Sequence, residues 1–184
     1  MKQEVPINKS TTLINTGCVV LASVTHEQFS NIITLAWQTP LSIRPRLAGI
    51  SVGFGRYSHD MIQQAGEFVI NIPGKNLLPQ VHGCGTFSGK NGDKYNRFGL
   101  HPEPGHQVTS AGIRECLGRI ECNLTDSVTT GDHTFFIGEV LYAAVEEEVY
   151  DFKKHCWKNI PESELLYHLG GRRYLAGSKQ VEAS

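Results

Sequence analysis

The residues Arg56, Tyr57 and Ser58 lie where an apolar, strand-like run gives way to a short helical pattern. A helix N-terminus presents unpaired N–H groups and the positive end of the helix dipole, so it attracts anions. An arginine fork and a serine hydroxyl at that place could complete a cradle for a phosphate group. The alternative is structural: Ser58 caps the helix and Arg56 faces solvent. Taken alone, the stretch favours the structural alternative.

Four other segments carry side chains that could meet a ligand. Trp37 lies in a polar segment, Lys94 follows a glycine-rich one, and His133 follows a turn. The fourth segment, residues 166–177, places aromatic side chains on either side of a glycine pair. The first three each have a structural alternative: Trp37 in the core, Lys94 as a solvent-exposed charge and His133 as a turn residue. Taken one at a time, none of these segments decides between the two roles.

The cysteines argue against a disulfide framework or a zinc site. They are five in number, without a Cys-x-x-Cys pair: Cys18, Cys84, Cys116, Cys122 and Cys156. This pattern is typical of reduced thiols in a cytoplasmic protein. His82 and Cys84 offer only two ligands, whereas a structural zinc requires about four. We therefore predict no metal, and Cys84 is open to a redox role or to the more common inert one.

Strand signals outnumber helix signals along the chain. Short β-branched or alternating runs predict strands over Cys18–Val24, Leu47–Phe54, Phe68–Ile72 and residues 118–125, and a long strand over His133–Val145. The long strand is apolar at both its odd-numbered and its even-numbered positions, so both of its faces should be buried. This indicates a closed barrel or a subunit interface. The segment from Asn31 to Ser42 is too polar for a buried strand.

Helices are predicted to be few and short. Ser58 is a natural N-cap for a helix over His59–Ala65, which Gly66 would end, and a second helix opens at Lys75 or Asn76. The glycine-rich piece from Gly83 to Gly92 is expected to lie between elements as a functional loop. With no linker or repeat, the pattern predicts one mainly β domain over residues 1–184, a small antiparallel barrel with excursions.

The composition excludes several classes of function. The 184 residues carry a formal net charge of -1, with 40% hydrophobic and 19% charged residues. This is an ordinary globular composition without the basic surface that nucleic acid or an anionic membrane requires. No run approaches the roughly 18 apolar residues of a membrane span, and the first residues lack a signal-peptide core. We expect a cytoplasmic protein.

The segments together, in their order and spacing, resemble the flavin reductase-like FMN-binding split-barrel family, in particular its flavoredoxin and archaeal ferric-reductase branch. The resemblance runs from about Thr16 to Gly177. It is carried by N-x-x-T-x-x-W from Asn31, by R-Y-S from Arg56 with GEFVINIP after it, by C-G-x-x-S-G from Cys84 followed by Asp-Lys, and by GDHTFFIGEV. The last of these is the most specific.

The resemblance implies a homodimer built on a six-stranded antiparallel barrel, with FMN in a groove near the dimer interface. Residues 34–38 would run beside the flavin ring, a second group would hold the ribityl chain and phosphate, and Lys94 and His133 would donate hydrogen bonds near the ring. The cofactor-binding residues implied are Asn31, Thr34, Leu35, Ala36, Trp37, Gln38, Ser51, Arg56, Tyr57, Ser58, Cys84, Ser88, Lys94 and His133. No classical catalytic residue is implied, because the cofactor does the redox work.

Two main functions remain open under this resemblance, beside a third option, a flavin-binding module with no redox partner. One is an enzyme that passes electrons from NAD(P)H through FMN to flavin, a ferric chelate or a protein acceptor. The other is a flavoredoxin-type carrier with tightly bound FMN and no NAD(P)H turnover. The chain departs from many relatives at Phe29-Ser30 and at Arg44-Pro45-Arg46, which leaves the substrate side open. Arg44 and Arg46 could meet NAD(P)H phosphates or face water.

Overall fold

The computed structural model describes residues 3–14 and 17–177. In chain order its strands are β1 (Val20–His26), β2 (Phe29–Leu35), β3 (Gln38–Ile43), β4 (Arg46–Gly53), β5 (Glu67–Ile72), β6 (Pro102–Glu103), β7 (Gly112–Ile113), β8 (Gly118–Thr130), β9 (His133–Val145), β10 (Tyr150–Asp151), β11 (Cys156–Trp157), β12 (Leu166–Gly170) and β13 (Arg173–Ala176). The α-helices are α1 (Tyr57–Ala65), α2 (Leu78–Thr86) and α3 (Lys94–Phe98). Short 3₁₀ helices cover Ile7–Leu13, Lys75–Leu77, Gly89–Asn91 and Pro161–Ser163.

One antiparallel sheet dominates the fold. Its seven strands are ordered β2-β1-β5-β8-β9-β4-β3, and three two-stranded sheets pair β10 with β11, β12 with β13 and β6 with β7. The longest hairpin joins β8 to β9, and its register shifts twice along β8, between Glu121 and Cys122 and between Leu124 and Asp126. Such bulges bend a strand and increase its twist, as a closed sheet requires. The mainly β prediction is confirmed.

The segment from Asn31 to Ser42, predicted to be too polar for a buried strand, is a correction. It supplies most of β2 and β3, and Asn31, Ile32 and Ile33 are all buried. The polar groups are accommodated because they find partners: the Thr34 hydroxyl, for example, donates to the Val81 carbonyl at 2.6 Å. Because β3 joins the sheet, it has seven strands rather than six.

The strands separate two hydrophobic cores. Val20, Ala22 and Val24 of β1 enter the barrel interior with Phe68 of β5 and Phe136 of β9. On the other face of β1, Leu21 joins a second core that includes Val81 and Cys84 of α2, Tyr95 of α3 and Leu166 of β12. The strand that is buried on both faces is therefore β1.

The long strand β9 has the predicted bounds but not the predicted burial. Phe136 is fully buried in the barrel, whereas Leu141 is 45% exposed and Phe135 and Ile137 are half-buried. The outward ring of Phe135 packs over Gly49, where an added Cβ would lie 2.2 Å from the ring. Within this chain, then, one face of β9 is open to solvent over part of its length.

The second helical segment begins at Lys75 as predicted, with a 3₁₀ turn that leads into α2, whereas α1 differs from the prediction at its N-terminal end. Arg56, not Ser58, is the N-cap residue of α1, and no side chain caps the helix. Ser58 lies inside the first turn and is buried, because its hydroxyl accepts a hydrogen bond from Asn31 Nδ2 at 2.8 Å. Gly66 ends α1 as predicted, with a left-handed φ of 68° that glycine adopts at no steric cost.

The glycine-rich piece is also more ordered than predicted. Its first part belongs to α2 and its later part forms the 3₁₀ turn over Gly89–Asn91. Ser88 caps that turn by accepting from the Lys90 N–H. Asp93 then caps α3 and places Lys94 at its first position. The piece is therefore a series of short helical turns, not one open loop.

Over residues 3–14 and 17–177, no helix is long and apolar enough to cross a membrane. Within the same residues, no group of three or more histidine, cysteine or acidic side chains is placed to hold a metal ion. All five cysteines are free thiols.

Candidate functional site

A cleft of about 480 Å³ lies where α1, α2 and α3 meet the β2–β3 connection and β12–β13. This volume is within the range of small-molecule and cofactor sites. All of the residues predicted from the sequence, except Gln38, line it: Asn31, Thr34, Leu35, Ala36, Trp37, Ser51, Arg56, Tyr57, Ser58, Cys84, Ser88, Lys94 and His133. Gln38 turns away, and its side-chain amide donates to the Cys18 carbonyl at 3.0 Å. The fold thus gathers distant parts of the sequence in one place.

The electrostatics of the cleft favour an anion. Arg56 and Lys94 both line it, and the lining among the described residues includes no aspartate or glutamate. The N-terminus of α1 opens beside Arg56 without a capping side chain, so its first N–H groups are available to a ligand. The structural alternative for this stretch, Ser58 as cap, is wrong. What remains is a helix N-terminus with an exposed arginine at its mouth.

Asn31 places an unsatisfied acceptor in the cleft wall. The residue is 2% exposed, and its Nδ2 donates to the Ser58 hydroxyl, but its Oδ1 has no hydrogen-bond partner among the described residues. Leaving a buried acceptor without a partner lowers the stability of the folded protein by about 1–3 kcal/mol. Gly89 approaches it so closely that an added Cβ would lie 2.2 Å from Oδ1. The wall is therefore shaped by a glycine and carries an acceptor that a ligand donor could satisfy.

Lys94 is a buried ammonium, not a solvent-exposed charge. It is 4% exposed, and its Nζ donates to the Ile32 carbonyl at 2.6 Å and to the Cys84 carbonyl at 2.7 Å. Burial lowers the pKa of Lys94 from 10.5 to about 8, the Cys84 side chain opposes that shift, and the positive charge of Arg56 adds to it. An ammonium has three donors, so one remains for a third partner. An anion in the cleft would stabilise the charged form.

Trp37 and His133 contact each other in the lining of the cleft. Their ring centroids lie 5.0 Å apart, and His133 Nδ1 is 2.6 Å from a carboxylate oxygen of Asp132. The hydrogen bond with His133 holds the pKa of Asp132 below its ordinary value. An Nδ1–carboxylate bond fixes the ring orientation and leaves Nε2 to other partners. Trp37 is 41% exposed, so the core alternative for this residue is wrong.

Cys84 is built as a packing residue rather than as a redox thiol. It lies on α2, it is 1% exposed, and it belongs to the second hydrophobic core. Burial raises the pKa of Cys84 to about 11, against a smaller opposing effect of Lys94. Since the thiolate is the reactive form, this thiol is unreactive near neutral pH. The inert alternative is the one that the structure favours.

Several lining residues were not predicted from the sequence. They include His82 and Phe87 of the glycine-rich region and His168, Gly171 and Tyr174 of the β12–β13 hairpin. The aromatic residues that flank the glycine pair in this hairpin were a visible signal, but nothing local to that segment shows which part of the fold it meets.

Comparison with known proteins places this chain in a family. The sequence model of the flavin reductase-like domain matches residues 11–176. The chain belongs to the flavin reductase-like family. A protein of Archaeoglobus fulgidus with no assigned function is 37% identical over 123 residues, which are 67% of this chain and 70% of the relative.

Two solved structures share the fold of this family member. The FMN-binding protein of Thermus thermophilus, solved with bound 1-cyclohex-2-enone, superposes with a TM-score of 0.86 at 23% identity, over 100% of this chain and 98% of that one. The flavoredoxin of Desulfovibrio vulgaris (Miyazaki F) superposes with a TM-score of 0.81 at 24% identity, over 92% and 90% of the two chains. These similarities confirm the split-barrel fold.

The lowered pKa of Lys94 predicts a pH-dependent stability. Between about pH 8 and pH 10.5 the folded chain has released the Lys94 proton, whereas the unfolded chain still binds it. The unfolded state then holds more protons, so the free energy of unfolding rises with pH through this window. Relative to a Lys94→Met variant, the wild type should gain about 2 kcal/mol between pH 7.5 and pH 10, measured by urea unfolding.

Lys90 provides the matched control, because its side chain is exposed. Lys90→Met should follow the wild type at both pH values. A constant difference between wild type and Lys94→Met would show that Lys94 titrates at an ordinary lysine pKa.

Proposed function

We propose that this chain is an FMN-binding oxidoreductase that passes electrons from NAD(P)H through FMN to a flavin, a ferric chelate or a protein acceptor. The observation that carries the proposal is the cleft itself. It combines the open N-terminus of α1, Arg56 and the buried ammonium of Lys94 with a lining free of carboxylates among the described residues. An anionic cofactor suits such a site.

The phosphate end of FMN fits the α1 side of the cleft. A phosphate needs an arginine fork, hydroxyls and backbone N–H groups. Arg56 and the first N–H groups of α1, at Tyr57 and Ser58, offer the first and last of these. Ser51 and Ser88 also line the cleft and bring hydroxyl groups for the ribityl chain.

The ribityl chain and the flavin ring of FMN fit the other donors and acceptors that line the cleft. The orphaned Oδ1 of Asn31 can accept from a ribityl hydroxyl or a ring N–H. Lys94 retains a donor, and Trp37 supplies an apolar surface for a flat ring. Residues 34–36 line the cleft beside Trp37, so their backbone groups are candidates for the polar edge of the ring.

The residues of the chain bind and orient, and the cofactor supplies the redox chemistry. FMN when bound accepts electrons from one partner and gives them to another. Lys94 holds a positive charge in a site where burial strengthens electrostatic interactions. His133, oriented by Asp132, can hold a proton at the cleft wall. No side chain acts as nucleophile in this account.

A second candidate function is an electron carrier with tightly bound FMN and no turnover of NAD(P)H. The structural similarity to a flavoredoxin supports it, with a TM-score of 0.81. In that case the acceptor and donor would both be redox proteins.

We also propose a homodimer and a cytoplasmic location. The outer face of β3 and β9 exposes Leu41, Ile43 and Leu141, and an exposed apolar face of this kind suits a second copy of the chain. The free thiols suit a reducing compartment. A single domain over residues 1–184 remains part of the proposal.

Anaerobic mixing with NADH and NADPH tests the choice between enzyme and carrier. For the FMN-loaded protein we expect the flavin absorbance near 450 nm to be lost within about a second of mixing with at least one nucleotide, on the scale of ordinary enzyme turnover. Dithionite serves as the control that the bound flavin can be reduced. Loss of absorbance with dithionite but with neither nucleotide contradicts the enzyme and favours the carrier.

Arg56→Ala tests the phosphate cradle. The substitution removes a charge-assisted contact of about 1.5–3 kcal/mol, so the FMN affinity should fall by about one to two orders of magnitude. Riboflavin lacks the phosphate and should bind the variant almost as well as the wild type. Fluorescence titration measures both ligands, and general damage to the cleft would weaken both alike.

Arg46→Ala is the matched control, because Arg46 is exposed on β4 and does not line the cleft. It should leave the affinities for FMN and riboflavin unchanged. Should Arg56→Ala keep full affinity for FMN, Arg56 is a surface residue and the phosphate lies elsewhere.

A further inference from the structure

A buried histidine that does not line the cleft connects the first turn of α1 to the start of β9. His59 is 8% exposed, and its Nε2 lies 2.8 Å from the Thr134 hydroxyl. Thr134 is also buried, and it follows His133, which lines the cleft. The contact therefore joins the helix end that is open to an anion to the strand that carries His133.

The orientation of the His59 ring is fixed by three further contacts. Its Nδ1 lies 2.9 Å from a carboxylate oxygen of Asp60. The ring packs edge-on against Phe54, with centroids 5.4 Å apart, and against Phe136 with centroids 5.3 Å apart. Since both ring nitrogens have partners and the ring packs against two phenyl groups, its rotamer is locked. His59 is thus a rigid link between α1 and β9.

The first turn of α1 is attached to the sheet on two sides. Ser58 accepts a hydrogen bond from Asn31 of β2 at 2.8 Å, and the next residue, His59, contacts Thr134 of β9. No side chain caps the helix, so its first N–H groups are left to a ligand. The two attachments therefore hold in place a helix end whose own donors are not used by the fold.

The contact to a phosphate depends on where this turn lies. Charge-assisted hydrogen bonds from a helix N-terminus and from an arginine weaken steeply when distance or angle changes. The ribityl chain and the flavin ring are assigned to groups on other elements, which include Lys94 of α3 and Trp37. A shift of the first turn of α1 would therefore weaken the contact to the phosphate and spare the contacts to the ring.

We propose that His59 is a positioning residue that, through Thr134, holds the N-terminus of α1 in place and so sets the preference of the site for a phosphorylated flavin over an unphosphorylated one. The inference rests on the proposed function, because the phosphate concerned is that of FMN. It deepens that function by assigning the specificity for the phosphate to a side chain outside the cleft lining. His59 acts through the helix and touches no part of the ligand.

Fluorescence titration of the flavin-free protein with FMN and with riboflavin tests this role. Thr134→Val keeps the shape of the side chain and removes the hydroxyl that His59 contacts. We expect the FMN affinity of this variant to fall about tenfold, as for the loss of one anchoring hydrogen bond, and its riboflavin affinity to stay within about twofold. Thr134→Ser keeps the hydroxyl and should restore most of the FMN affinity.

Thr25→Val is the matched control, because Thr25 is a half-buried threonine of β1 that does not line the cleft. Its hydroxyl lies 2.8 Å from the Ser30 hydroxyl and accepts from the Ala111 N–H at 3.2 Å. The variant should lose stability and keep the wild-type ratio of the two flavin affinities. An unchanged ratio in Thr134→Val, an equal loss of both flavins, or no recovery in Thr134→Ser each overturns the role of His59.

Inorganic phosphate separates a failure of this inference from a failure of the proposed function. Titrated into the flavin-free protein and followed by ³¹P NMR, it should bind the wild type and Thr134→Ser about tenfold more tightly than Thr134→Val. If the wild type binds neither flavin, the proposed function fails, and the phosphate titration alone decides whether His59 positions α1. In that case, equal binding by wild type and Thr134→Val, or no binding by either, overturns the inference.

Discussion

The buried ammonium of Lys94 is the constraint on which the cleft depends. Its Nζ donates to the carbonyls of Ile32 on β2 and Cys84 on α2, and so joins the sheet to the helix that covers it. Burying an ammonium is unfavourable unless its donors are satisfied, and these two carbonyls satisfy two of three. The remaining cost of burying the charge lowers the pKa of Lys94 to about 8. Lys94 therefore joins two walls of the cleft and has no carboxylate partner among the described residues.

Other polar groups around the cleft also lack a hydrogen-bond partner among the described residues. Asn31 Oδ1 has no partner among the described residues, and α1 begins without a capping side chain. Functional sites often retain groups that folding alone leaves unsatisfied, since a ligand completes them. The three deficits call for one ligand with a negative group at the helix end, a donor near Asn31 and an acceptor near Lys94. FMN carries all three, which is why the family fold and the local chemistry support the same proposal.

The sequence predicted the features that local pattern determines. The bounds of β9 and the end of α1 at Gly66 follow from runs of apolar residues and from the left-handed conformation that glycine allows. The candidate site was also largely predicted, but by resemblance to a family. Single motifs could not decide whether Trp37, Lys94 and His133 bind a ligand or only stabilise the structure. The burial and the partners of these side chains depend on distant segments.

The errors share one physical cause, which is that long-range contacts override local preference. Ser58 is a good N-cap by type, yet the pairing of β1 with β2 brings Asn31 close to its hydroxyl. The segment around Thr34 is polar by composition, yet its hydroxyl finds the Val81 carbonyl and the strand is buried. His168 and Tyr174 enter the cleft only because Leu166 anchors a hairpin more than a hundred residues from β2. None of these contacts is visible in a short window of sequence.

A crystal structure of the chain grown with FMN tests the central claim most directly. We predict that the phosphate lies within hydrogen-bond distance of the Arg56 guanidinium and the first N–H groups of α1. We also predict that the flavin ring lies between Trp37 and Lys94, with a ligand donor on Asn31 Oδ1. FMN bound outside this cleft, or bound in it with the phosphate away from α1, would contradict the account.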